Sequence, residues 1–123
     1  MLLRYLAFVK IIRSEFGDIT NNIELHIDRI HIELVNHSWI EVRYPVLGKF
    51  SFHWQSGKSL YRFDTAPHHP NLTSFPRHIH FQKEENVIED KILTNDGIPE
   101  NHLRQFLTWV KDSLNTKRSS LKK

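Results

Sequence analysis

The chain of 123 residues contains no cysteine and only four glycines. Without thiols there can be no disulfides, thiolate metal ligands or dithiol redox chemistry, and the composition suits a reducing cytosol. Four glycines leave little for a phosphate-cradling loop, and H-E-x-x-H and G-x-S-x-G are also missing. Long hydrophobic runs are absent too. The opening MLLRYLAFVKII is interrupted by Arg4 and Lys10 and falls far short of the ~20 residues of a membrane span. No small-residue cleavage site follows, so it reads as a core-facing helix of a cytoplasmic protein without membrane contact.

The charge of +3 comes from 17 Lys and Arg against 14 Asp and Glu. Lys117, Arg118, Lys122 and Lys123 all lie in residues 116–123, which hold no acid; without those four the balance is 13 against 14, a body of −1. The basic excess is therefore a tail. Such a tail can hold phosphates by counterion release, although a solvated end that aids solubility is the weightier explanation.

At this length the chain is one domain, residues 1–115, followed by the flexible tail 116–123. Leu2, Leu3, Leu6, Val9, Ile12 and Phe16 recur at helical spacing and predict a helix buried on that stripe, ended at Gly17. From Ile23 the period changes to two, and the parity slips at Asp28-Arg29, which predicts a bulge or tight bend. Further strands are expected at 39–44, 50–55, 60–64 and 78–82, with Pro45 ending the first and Ser56-Gly57-Lys58 forming a hairpin loop. Leu103, Phe106, Leu107, Val110 and Leu114 predict a closing helix with Pro99 in its first turn. The fold class is α+β, an antiparallel meander sheet of five or six strands with an N-terminal and a C-terminal helix packed on it.

Residues 63–81, FDTAPHHPNLTSFPRHIHF, hold four histidines and three prolines. His26, His31, His37 and His102, scattered elsewhere, read as satisfied polar-face residues. The cluster is different. Arg62 and Asp64 share one strand face, His78 and His80 share another, and His68 and His69 lie in the loop between them. Pro67, Pro70 and Pro76 restrict that loop, lowering the entropy lost in holding its side chains in place.

Three motifs carry a resemblance: Phe52-His53-Trp54-Gln55, then Arg62-x-Asp64-x-Ala66-Pro67-His68-His69-Pro70, then Thr73-x-Phe75-Pro76-x-His78-x-His80. In this order they resemble the core signature of the TumE family, toxins of bacterial and archaeal toxin–antitoxin modules. Thr65 stands where that family commonly has asparagine, and Arg77 where it commonly has histidine. The resemblance implies a growth-inhibiting toxin encoded beside a cognate antitoxin.

The residues themselves leave three chemistries open. The favoured one is a ribonuclease needing neither metal nor cofactor, with His69 and His78 as base and acid, since imidazole titrates at ~6.5. His68 and His80 complete the catalytic set, Asp64 orients one ring and Arg62 meets the phosphate. Phe75 or Trp54 would stack on a base, the core being the competing place for Trp54, and Arg77, Lys117 and Arg118 would add RNA contacts. The second is a metal-dependent hydrolase or transferase using Asp64 with two or three of the histidines as ligands. The third is a non-enzymatic inhibitor that binds RNA or another macromolecule. Exposed meander edges are compatible with a homodimer or an added antitoxin strand.

Overall fold

The computed structural model describes residues 1–121, with side chains described as far as Thr116. Helix α1 (Leu2–Glu15) leads into strands β1 (Thr20–Leu25), β2 (Ile30–Leu34), β3 (Trp39–Val46), β4 (Lys49–Ser56), β5 (Ser59–Asp64), β6 (His78–Gln82) and β7 (Val87–Glu89); helix α2 (Pro99–Leu121) closes the chain. The seven strands form one antiparallel sheet in sequence order. Short hairpins favour that order, because successive strands pair at the smallest loop-closure cost. In the two-residue loop between β4 and β5, Gly57 supplies the positive φ of 60°.

Alternation along each strand sends Ile30, Ile32, Ile40, Val42, Tyr44, Phe52, Trp54, Phe63 and Ile79 to one face, where both helices cover them. Phe8 of α1 meets Tyr44 edge-on, and Phe106 of α2 packs on Phe52 and Phe63. Each such buried ring stabilises the fold by roughly 2–3 kcal/mol. Because the helices take one face only, the opposite face of the sheet is left for polar side chains.

The seventh strand went unread because three residues are too short to show a period. Pro45 does not end β3, which continues to Val46 across a register shift between Arg43 and Val46. A proline, having no N–H, fits at such an irregularity. The parity slip at Asp28-Arg29 is the β1–β2 bend, closed by the His26 N–H on the Arg29 carbonyl at 2.8 Å.

The buried face of α1 differs from the expected stripe. Leu2, Leu3 and Leu6 are exposed, while Tyr5, Phe8, Val9, Ile11 and Ile12 are buried. The Tyr5 hydroxyl decides the rotation: it donates to the Asp28 carbonyl and accepts from the Tyr44 N–H, both at 3.0 Å. The helix is apolar nearly all round, so counting leucines could not find the side that the sheet uses.

His102 is a satisfied core histidine. Its Nε2 lies 2.9 Å from the Thr94 carbonyl, which can only accept, so Nδ1 carries the lone pair that takes the Tyr44 hydroxyl at 3.0 Å. Burial pushes the Tyr44 phenol up, which keeps it a donor. Tyr44→Phe strands that Nδ1 without a donor and is expected to lower stability by about 1–3 kcal/mol, read as a lower urea midpoint at unchanged slope.

Candidate functional site

Strand register builds the uncovered face in rows. One runs Glu24, His31, Glu41, His53, Arg62, His80 across β1 to β6, each residue directly opposite the next. A second runs Arg43, Ser51, Asp64, His78, Glu89 across β3 to β7. The two rows bring Arg62 and Asp64 of β5 beside His80 and His78 of β6. The pairing expected from i, i+2 spacing on each strand thus becomes one four-residue patch.

The 65–77 loop folds over this patch. Asp64 Oδ1 accepts the Ala66 N–H at 2.7 Å, turning the chain sharply out of β5. The far side is held by Glu89, which takes the Thr73 N–H at 3.1 Å and the Thr73 hydroxyl, and by Ser74, which donates to the Arg77 carbonyl at 2.6 Å. Thus pinned, the loop sets the His69 ring edge-on to His78, centroids 4.8 Å apart, and 6.2 Å from His80.

The hydrogen bonds of the two strand histidines fix their tautomers. His78 Nδ1 is 3.1 Å from the Pro76 carbonyl and His80 Nδ1 is 2.6 Å from the Glu84 carbonyl. Carbonyls only accept, so both Nδ1 atoms donate and both Nε2 atoms carry lone pairs in the neutral rings. Those two Nε2 atoms face each other at 3.2 Å. Asp64 Oδ1 stands 3.3 Å from the first, and Asp64 Oδ2 stands 3.8 Å from the second. Lone pairs so close need a positive centre between them, and a proton or a metal cation can supply it.

Arg62 does not point a free charge outward. Its Nε donates to Asp64 Oδ2 at 3.1 Å and its Nη2 to Glu84. Burial works against its charge, but the bonds to Glu84 and Asp64 outweigh that and raise its pKa; the same bond holds Glu84 below the usual carboxylate range. The guanidinium therefore orients Asp64 more directly than it awaits a phosphate.

Asp64, His69, His78, His80 and Arg62 come together; the other expected site residues do not. His68 is exposed on the loop and is not one of the clustered rings. Trp54 lies fully buried on the helix side, donating from Nε1 to Ser38 Oγ at 2.9 Å and stacking on Tyr61, which puts it out of reach of a base. Arg77 is a tie within the fold: it pairs with Asp90 at 3.2 Å and donates to the Leu93 carbonyl and Asn95. Phe75 is exposed, as a stacking role requires. The side chains of Lys117 and Arg118, with the rest of the basic segment, lie outside the described residues.

Sequence reasoning missed Glu84, which supplies a carbonyl to His80 and a carboxylate to Arg62 from the β6–β7 turn. It also missed Trp39 on the uncovered face, stacked on His53 with centroids 5.3 Å apart and tilted against His31 at 5.5 Å. The signal for Trp39 was its parity within β3, opposite to that of the buried Ile40 and Val42.

Fold and cluster define a small two-layer α+β protein that carries a carboxylate–imidazole centre on the uncovered face of its sheet. The family described as Toxin TumE matches residues 4–114, and the chain belongs to that family. It is thus a toxin, whose partner is an antitoxin. No curated protein and no solved structure matches it. Among the described residues no helix is long and apolar enough to cross a membrane.

Proposed function

We propose that this toxin inhibits growth by cleaving RNA at the Asp64, His69, His78, His80 centre. The observation that carries the reading is the 3.2 Å approach of two lone-pair-bearing Nε2 atoms beside the Asp64 carboxylate, a geometry built to hold a positive centre. RNA cleavage uses one: a neutral imidazole takes the 2′-hydroxyl proton as that oxygen attacks the adjacent phosphorus, the positive centre offsets the charge that builds on the phosphoryl oxygens, and a protonated group gives the 5′-oxygen its proton as the bond to it breaks. His78 and His80 are 1% and 7% exposed, so the more open His69 is the ring that meets the substrate. Phe75, exposed on the same loop, is placed to stack on a base.

The test is a mixed-sequence RNA incubated with the purified chain, beside the same sequence made with 2′-deoxy sugars. Cleavage leaving 2′,3′-cyclic phosphate ends is expected on the RNA, and the deoxy strand should stay intact. His69→Ala should lower the rate by at least ~100-fold. An RNA that remains whole under conditions where the chain arrests growth would instead favour the binding inhibitor.

A further inference from the structure

We infer that Asp64, His69, His78 and His80 form a binding site for one divalent transition-metal ion, with zinc the best fit. The inference deepens the reading of this same centre and rests on it only for what the ion would do to RNA.

Four observations lead there. The first is edge length. Two ligands ~2.0–2.1 Å from a tetrahedral zinc stand about 3.3–3.4 Å apart. The 3.2 Å between His78 Nε2 and His80 Nε2 and the 3.3 Å between His78 Nε2 and Asp64 Oδ1 match that edge, while His80 Nε2 meets the other oxygen, Asp64 Oδ2, at 3.8 Å. The ligand nitrogens of His69, His78 and His80 all lie within 4.8 Å of one another, and His69 is the least buried of the three.

The second is the outer ring of hydrogen bonds. Histidines that ligate through Nε2 donate Nδ1–H to a carbonyl or carboxylate, which fixes the ring and raises its basicity. His78 does this to Pro76 and His80 to Glu84. Asp64 is held in turn by Arg62 and by the Ala66 N–H. Every strand ligand is thus oriented from behind.

The third is donor number. A single proton between His78 and His80 would relieve their lone pairs, but it would leave unused the Asp64 oxygen 3.3 Å from His78 Nε2 and the His69 nitrogen that lies within 4.8 Å of both strand rings. A metal ion uses all four.

The fourth is charge. The two rows across the sheet carry Glu24, Glu41, Asp64 and Glu89 against Arg43 and Arg62; Arg43 is joined by Arg29 on Glu41, and Arg62 is matched by Asp64 and Glu84, so these guanidiniums are already engaged by carboxylates. A phosphodiester would be repelled by that face unless a cation stood on it. A single carboxylate is too few to hold a hard metal firmly, but zinc takes imidazoles readily.

The experiment uses the full chain, made in a cell-free system without a polyhistidine tag and stripped with chelator. Zinc titrated in a calorimeter should bind at about one equivalent with sub-micromolar affinity, and cobalt(II) in its place should give the intense visible band of tetrahedral coordination. Titration in buffers of different ionisation enthalpy should show proton release on binding, since the ion displaces whatever proton the rings share. Affinity should fall at least ~100-fold in His78→Ala and in Asp64→Asn, and stay level in His68→Ala. Circular dichroism serves as the fold control. A folded parent chain that binds neither ion, or one whose binding survives both ligand substitutions, overturns the inference. Zinc bound by a chain that leaves RNA intact supports the site and sinks the RNA reading. RNA cut at full rate by a chain that takes up no metal does the reverse.

Discussion

His69→Ala is expected to abolish growth inhibition when the chain is expressed without its antitoxin, with cells growing like those carrying empty vector. His69 is the cluster member best suited to this test. It is half-buried on a surface loop, and its backbone is held by turns that alanine can also make. The stability change should therefore stay within about 0.5 kcal/mol. His78→Ala should abolish inhibition too, but at a structural cost. At 1% exposure His78 fills space beneath the loop, and truncation leaves the Pro76 carbonyl and a small void unfilled, so a loss of about 1–3 kcal/mol is expected. Growth curves are to be read beside immunoblots and melting curves. A His69→Ala chain that is folded, present at parental level and still fully toxic would remove the cluster from the mechanism.

The helix–meander–helix layout was legible because most strands show alternation over five or more residues and the second helix has a clean apolar stripe. What escaped was set by contacts at a distance. The rotation of α1 depends on one phenol reaching Asp28 and Tyr44, and β7 exists because β6 offers it an edge. In the site, i, i+2 spacing placed Asp64 with Arg62 and His80 with His78, since parity alone decides which face they share. That His69 would join and His68 would not depends on how Asp64, Ser74 and Glu89 fold the loop. The direction of Arg62 was invisible for a similar reason: its second partner, Glu84, comes from a turn 22 residues onward. Spacing can name the residues of one strand, whereas register and loop closure choose their neighbours.

Arg77 illustrates the difference and gives the second large expected effect. As a cation beside the histidine motif it read as an RNA contact, yet its side chain is 12% exposed and turned inward. It meets Asp90, whose side chain is 1% exposed and whose buried Oδ2 is paired with Arg77 Nη1 at 3.2 Å and has no hydrogen-bond partner among the described residues. Asp90 Oδ1 meanwhile takes the N–H groups of Ile92 and Leu93, both at 2.9 Å, shaping the segment that leads to α2. Arg77 thus joins the start of β6 to that segment. Arg77→Ala leaves a buried carboxylate facing nothing, a change that costs about 3–5 kcal/mol, against a total stability of ~5–15 kcal/mol for a domain. The expected result is a chain that melts far below the parent, or fails to accumulate, and loses toxicity for that reason. Removing the charge at both positions, as in Arg77→Met with Asp90→Asn, should recover much of the lost stability, because no unpaired carboxylate then remains inside. Denaturant midpoints of the parent, Arg77→Ala, Asp90→Asn and the double variant measure this directly. An Arg77→Ala chain with parental stability and weakened RNA binding would return Arg77 to the RNA-contacting residues.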